Sequence, residues 1–288
     1  MDLVLQLLVN GLVNGSHYAL LGLSFGLIFG TTRITHFAYG PVYALSAYAC
    51  WWAIAKLGLP LIAGFAAGIA VGAAAGVLSY ALLYRPFEQA GSSPLVVLIA
   101  SLGLFIVLEN AIGIVFGTDT KVVPSPPASL FLLGPAAVTS VQLAQVGALA
   151  AIVLGLWLFL SRTRFGRAVR AQTDNPEMAT IVGIDTVRLS MLVFALGSAI
   201  AAVPACLILV KDGATAYMGF LAVFMGFVAV VVGGIGALRG AVAGGYALGL
   251  VESLGLWKIP SEWQSTIAFV VLFLVLLFRP QGLFAGRQ

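Results

Sequence analysis

Apolar stretches close to the length of a bilayer crossing recur from one end of the chain to the other, and no polar block between them is long enough to fold as a soluble domain. Nine can be drawn, over residues 3–29, 37–56, 60–84, 94–116, 141–160, 190–210, 219–235, 240–256 and 264–278. A helix crosses the hydrocarbon core with about 20 apolar residues and satisfies its own backbone hydrogen bonds on the way. With 61% hydrophobic and 8% charged residues and a mean hydropathy of +1.09, the chain is expected to be all-α, a polytopic integral membrane protein. About 8–9 transmembrane helices are expected, in one transmembrane domain over residues 1–288. The seventh and eighth segments are short and rich in glycine, and read either as two full spans or as one re-entrant hairpin. The first segment lacks a basic leader and is interrupted by Asn10, Asn14, Ser16 and His17, so it is expected to be retained as a span.

Charge fixes an expected orientation. The longest polar stretch, residues 161–189, holds Arg162, Arg164, Arg167, Arg170 and Arg188. Basic loops stay on the cytoplasmic side. With that loop inside, Arg33, Arg85, Arg239, Arg279 and Arg287 fall inside as well, and Lys56, Lys121, Lys211 and Lys258 fall outside. The N-terminus is then external and the C-terminus cytoplasmic. Residues 117–140, with Pro124, Pro126, Pro127 and Pro135, become an external loop with extended backbone. Basic residues scattered at segment ends, without a stripe and interleaved aromatics, argue against a nucleic-acid partner. The partner they imply is the lipid bilayer.

Several kinds of chemistry have no foothold. No lysine is preceded by glycine, since Ala55, Thr120, Val210 and Trp257 hold those places, so the chain lacks a phosphate-binding loop of the Gly-Lys-Ser/Thr type. The two histidines have no neighbouring carboxylate in sequence, so neither a metal site nor a catalytic residue is expected, and no cofactor. His17 reads as a hydrogen-bonded packing residue. Cys50 and Cys206 lie in apolar surroundings and read as buried reduced thiols. Gly64, Gly68, Gly72 and Gly76 recur every four residues, as do Gly22, Gly26 and Gly30. Such stripes let helix backbones approach closely, either within this chain or against a second membrane subunit.

One short pattern in the cytoplasmic loop is specific. Asn175, or Asp174, can cap a helix whose first turn holds Pro176 and Glu177, and Gly183 can end it in a left-handed conformation. Met178, Ile181 and Val182 fall at i, i+3 and i+4 and make one apolar face. That face either enters a groove on a soluble partner or folds back onto the membrane domain.

The order Glu177-Met178-Ala179, three residues, then Gly183 resembles the Glu-Ala-Ala-x-x-x-Gly loop of ABC importer membrane subunits, with Met178 in place of one alanine. Residues 11–48 resemble the opening of the H-type permease subunit of branched-chain amino-acid importers, through Gly11-Leu12-Val13-Asn14-Gly15-Ser16-His17-Tyr18, Ile28-Phe29-Gly30-Thr31-Thr32-Arg33 and Phe37-Ala38-Tyr39-Gly40. Residues 231–240 and Gly249-Leu250-Val251-Glu252-Ser253 resemble its C-terminal part. Where that family usually has Asn-Phe-Ala-His-Gly, this chain has His36-Phe37-Ala38-Tyr39-Gly40. The resemblance implies a complex with a homologous or identical second permease subunit, two cytoplasmic ABC ATPases and an external solute-binding protein. It also implies that Asn175, Pro176, Glu177, Met178, Ala179, Ile181, Val182 and Gly183 couple the chain to those ATPases. The solute implied is a branched-chain amino acid, or a related small amino acid or amide.

Two carboxylates fall inside apolar segments. Glu109, followed by Asn110, is expected either to be a hydrogen-bonded packing group or to line a translocation pathway. Glu252 is expected either to face a cavity or a partner or, near the external end of its segment, to reach interfacial water or Lys258. The rival reading, an ion-coupled secondary transporter, needs a coupling site of several intramembrane charges, and only these two are present.

Overall fold

A computed structural model describes residues 2–124, 129–133, 136–234, 236, 238–279 and 281–283. Pro126, Pro127, Pro135 and Arg287, assigned above to loops, lie outside the described residues, as do Ile235 and Ala237.

The chain is mostly helical. In order it forms α1 (Asp2–Thr32), α2 (Tyr39–Ala55), α3 (Leu61–Ser79), a π-helical turn (Tyr80–Tyr84), α4 (Arg85–Gln89), α5 (Pro94–Phe116), β1 (Leu130–Leu133), β2 (Ala136–Thr139), α6 (Ser140–Arg162), α7 (Arg164–Asp174), α8 (Pro176–Ile181), α9 (Thr186–Asp212), α10 (Met218–Gly233), α11 (Leu238–Gly255), a short 3-10 turn (Ser261–Trp263) and α12 (Gln264–Phe278). Each of the nine apolar segments is helical over most of its described residues. Among the described residues five helices, spanning Leu3–Thr32, Leu61–Gln89, Pro94–Phe116, Ser140–Arg162 and Thr186–Asp212, are long and apolar enough to cross a membrane. The pair α10 and α11, bent by 113°, makes a sixth candidate. At 17 residues α2 falls short, and it carries Tyr39, Tyr43, Ser46 and Tyr48 among its buried positions. A helix wrapped by protein need not present an oily surface to lipid.

The wide turn at Tyr80–Tyr84 has a local cause. Pro86 follows it and has no N–H to give to Leu82, so the regular i→i−4 ladder cannot run through this point. Within residues 117–140, where extended backbone was expected, β1 and β2 pair antiparallel, with Leu130 opposite Thr139 and Leu133 opposite Ala136.

The chain divides into two compact units, residues 1–26, 125–151 and 224–288, and residues 27–124 and 152–223. In the first, α1 meets α11 through glycines. A Cβ on Gly15 would strike Tyr246, and one on Gly249 would strike the backbone of Gly15. Gly22 lies against Ala229 and Ala241. Gln6 holds the hairpin to α1, its Oε1 accepting from the Ala137 N–H at 2.9 Å and its Nε2 donating to the Ala137 carbonyl at 3.2 Å. Gln145 of α6 donates to the Val13 carbonyl at 2.8 Å.

In the second unit α3 packs on α2 and α9 along the stripe of glycines. A side chain on Gly68 would meet Cys206 Sγ and the Ser46 carbonyl, both at 2.7 Å, and one on Gly76 would meet Ser198 and the Phe194 carbonyl. This stripe is therefore consumed inside the chain. Cys50 and Cys206 are free and buried. His36 is buried in the connection from α1 to α2, with Nδ1 2.8 Å from the Tyr84 hydroxyl, which is in turn 2.7 Å from Ser101 Oγ. Ser101 Oγ also accepts from the N–H groups of Phe37 and Ala38, at 2.7 and 3.3 Å. With its lone pairs so used, the Ser101 hydroxyl must donate to Tyr84, and Tyr84 to His36 Nδ1. The network thus places the imidazole proton on Nε2.

Candidate functional site: the capped polar loop

Residues 161–189 fold as two helices, where only the second was expected. Thr163 starts α7: its Oγ1 accepts from the Gly166 N–H at 3.1 Å and donates to the Phe159 carbonyl at 2.7 Å. Gly166 presses on the backbone of Leu160, a space that no side chain fits. Arg164, Arg167 and Arg170 then face outward, while Val169 and Gln172 are buried. Gln172 Nε2 donates to Ser190 Oγ of α9 at 3.1 Å. The missed signal was the cap Thr163 followed by arginines three apart, which hid a helix inside a stretch read only as charge.

The second helix, α8, has defined ends. Asn175 is in extended conformation, with φ −151° and ψ 100°, and its side chain accepts from the Met178 N–H at 3.0 Å. Pro176 occupies the first turn, where an N–H would have no partner. Glu177 lies at the positive helix end. At the other end Gly183 adopts φ +87°. Its N–H bonds to the Thr180 carbonyl and that of Ile184 to the Ala179 carbonyl, each at 3.0 Å. These two bonds are the double closure that a left-handed glycine permits after a helix. Asp185 caps α9 at once, accepting from the Arg188 N–H at 3.0 Å.

Between these caps the side chains sort by side. Ala179 is buried, whereas Met178, Ile181 and Val182 are 53%, 74% and 69% exposed. The apolar face expected from spacing is present, and it is turned away from the rest of the chain. Burying three such side chains against a partner removes apolar area worth roughly 1.5–3 kcal/mol for each one fully covered. Arg33, itself in a left-handed conformation at φ 60°, reaches from the end of α1 to the Thr173 carbonyl at 3.4 Å, just before Asn175. No local sequence signal announces that contact.

The intramembrane acids lie elsewhere. Glu109 is partly exposed on the flank of the α5 face that presents Ile106, Val107 and Ile114, and among the described residues it forms no ion pair. Asn110 is exposed and donates to the Ile106 carbonyl at 2.8 Å. Glu252 departs from the interfacial reading: it is buried and forms no ion pair with Lys258. Its Oε2 accepts from the Tyr18 hydroxyl at 2.6 Å and from Gln264 Nε2 at 3.2 Å. Lys258 lies instead near the Trp257 ring, 5.7 Å from its centroid. His17 packs edge-on to Tyr18, with centroids 6.1 Å apart.

Comparison with known proteins gives one consistent family. A model of the permease component of branched-chain amino acid transport systems matches residues 7–276. The high-affinity branched-chain amino acid transport system permease protein BraD of Pseudomonas aeruginosa is 36% identical, over 97% of this chain and 95% of its own length. The corresponding protein LivH of Escherichia coli K12 is 33% identical, over 97% and 94%. A probable LivH of Methanocaldococcus jannaschii is 26% identical, over 96% and 91%.

Proposed function

Since the chain belongs to the family of branched-chain amino acid transport system permeases, we propose that it is the membrane-spanning permease of an ATP-driven importer for branched-chain amino acids or related small amino acids and amides. Family membership favours this reading over the ion-coupled carrier. The chain acts as a transport subunit rather than an enzyme, and residues 161–189 form its cytoplasmic coupling loop. The observation that carries the proposal is α8, capped by Asn175 and Gly183, with Met178, Ile181 and Val182 presented outward.

In this reading the multi-pass chain lies in the bacterial inner membrane with its N-terminus outside and its C-terminus in the cytoplasm. With α2 and α12 counted as spans beside the longer helices, it crosses nine times if α10 and α11 are both full spans, at the upper end of the expected 8–9, and seven times if they form a re-entrant turn. As two full spans or as a re-entrant turn, α10 and α11 return the chain to the same side. The loop of residues 117–140 faces an external solute-binding protein. A second permease subunit, homologous or identical, completes the membrane domain, and Glu109 and Asn110 line the pathway. Two cytoplasmic ABC ATPases each receive a coupling helix in a groove, in the manner of an amphipathic helix held by its apolar anchors. Closure of the ATPases on ATP moves α8, and the membrane helices exchange outward-open and inward-open states.

The test is ATP-driven uptake by the assembled importer in vesicles. Replacing Glu177 and Gly183 together is expected to abolish uptake while the protein remains in the membrane. Normal uptake by that double variant, or ion-driven uptake by the chain without ATPases, would refute the proposal.

A further inference from the structure

The junction of α6 and α7 presents a second surface that the coupling role does not use. In the last turns of α6, Leu154, Trp157, Leu158 and Phe159 are exposed. One turn further on, Arg162 ends the helix, and Arg164 and Arg167 follow on the outward side of α7, all three exposed. Among the described residues none of these arginines forms an ion pair. The geometry of the junction is fixed from within. Phe159 and Phe165 pack with ring centroids 5.4 Å apart, Gly166 presses on Leu160, and Arg170 Nη1 donates to the Leu160 carbonyl at 2.9 Å. The opposite side of α7 is occupied by its own contacts through Val169 and Gln172, so this helix keeps its charged side free.

An exposed tryptophan one turn from the end of an apolar span marks the level where hydrocarbon gives way to headgroups. Unpaired guanidinium groups just beyond that level are positioned for phosphate, which they bind through paired N–H donors. We propose that Arg162, Arg164 and Arg167 form a docking surface for the headgroups of anionic phospholipids, with the exposed apolar side chains of the last turns of α6 set against the adjoining acyl chains. Arg170 is left out of the lipid site because its guanidinium closes the end of α6. A docked acidic protein is the weaker reading, because the arginines adjoin an exposed apolar belt at the end of a span. The surface α8 offers to a protein partner is apolar. Lipid bound here holds α7 against the membrane and thereby steadies the base from which α8 projects. The inference does not rest on the coupling role of α8 and stands or falls apart from it.

The test is native mass spectrometry of the full-length chain in detergent, with phosphatidylglycerol or phosphatidylcholine of the same acyl chains added at equal concentration. The chain is expected to retain phosphatidylglycerol at least tenfold more than phosphatidylcholine, a preference that high salt erases. In R162Q/R164Q/R167Q the preference is expected to fall at least tenfold with no change in unfolding temperature, because each basic residue near an anionic surface contributes roughly a factor of five. Should the triple variant fail to fold, the single variants Arg162→Gln and Arg167→Gln must each lower the preference by a smaller step. Equal retention of the two lipids by the unaltered chain overturns the proposal, as does an undiminished preference in the variants. Loss of a co-purifying protein from the triple variant with lipid preference intact assigns the surface to that protein instead, and likewise overturns it.

Discussion

The Tyr18 hydroxyl donates to Glu252 Oε2 across 2.6 Å, joining α1 to α11 through a buried acid that has no ion-pair partner among the described residues. Gln264 donates to the same oxygen, so both donors serve one side of the carboxyl group. Tyr18→Phe removes the shorter bond and leaves a buried acceptor underserved, at a cost of about 1–3 kcal/mol. The unfolding temperature in detergent is expected to fall, and Glu252→Leu in the Tyr18→Phe background is expected to add less than it does alone, since the two residues act together. Additive losses in that double-mutant cycle would show that the pair is not coupled.

Asn175→Ala deletes the cap that accepts from Met178 N–H, and the loss of such a cap costs about 0.5–2 kcal/mol. A helix as short as α8 has little else to hold its first turn. Uptake per ATP hydrolysed by the assembled importer is expected to drop, while Asn175→Asp, which keeps the acceptor, stays near the unaltered chain. Equal efficiency of the alanine and aspartate variants would remove the cap from the mechanism.

Gly183 ends α8 at φ +87°, a conformation that a β-branched residue adopts only under strain of about 1–3 kcal/mol. The space around its missing Cβ is open, so any penalty is conformational rather than steric. Gly183→Val is therefore expected to impair uptake, and Gly183→Asn to impair it less, because asparagine tolerates the left-handed region. The same order should appear in the recovery of the ATPases with the permease.

Ile181→Asp and Met178→Asp place charge on the outward face of α8 without touching the interior of the chain. Both variants are expected to keep their unfolding temperature and to lose the co-purifying ATPases. Retention of the ATPases by both would mean that the motor grips some other surface.

Gly68 tests the interior of the second unit. Gly68→Val would force Cβ to within 2.7 Å of both Cys206 Sγ and the Ser46 carbonyl, so α3 must move away from α2 and α9. Overpacking of this kind costs about 1–3 kcal/mol or more. Folded yield in the membrane is expected to fall sharply, whereas Gly103→Val on α5, with nothing within 4 Å, should be well tolerated.

What could be read from sequence was what local chemistry determines. The caps of α8 were legible because Asn175, Pro176 and Gly183 each answer a backbone requirement within a few residues of themselves. The apolar segments were legible because a bilayer imposes length and composition on every helix that crosses it. The partners of Glu252 were not legible, because Tyr18 is 234 residues distant and the second donor, Gln264, belongs to the next helix. Proximity in sequence pointed to Lys258, and the fold sends that side chain elsewhere. The chain from His36 through Tyr84 to Ser101 is of the same kind: 48 residues separate its first two members. Helix α7 was overlooked for another reason. Arginines three apart satisfy a charge rule and a helical period at once, so the charge masks the helix.

The two ends of α8 also set its phase. With Asn175 fixing one end and Gly183 the other, the helix has no slack in which to turn about its axis. One residue inserted between them would rotate everything beyond it by about 100° and carry Ile181 and Val182 toward the side now held by Ala179. Substitution at a single position dulls the tooth of this key, but a change in length recuts it. For this loop, insertions and deletions should be far less forgiven than exchanges of one side chain for another.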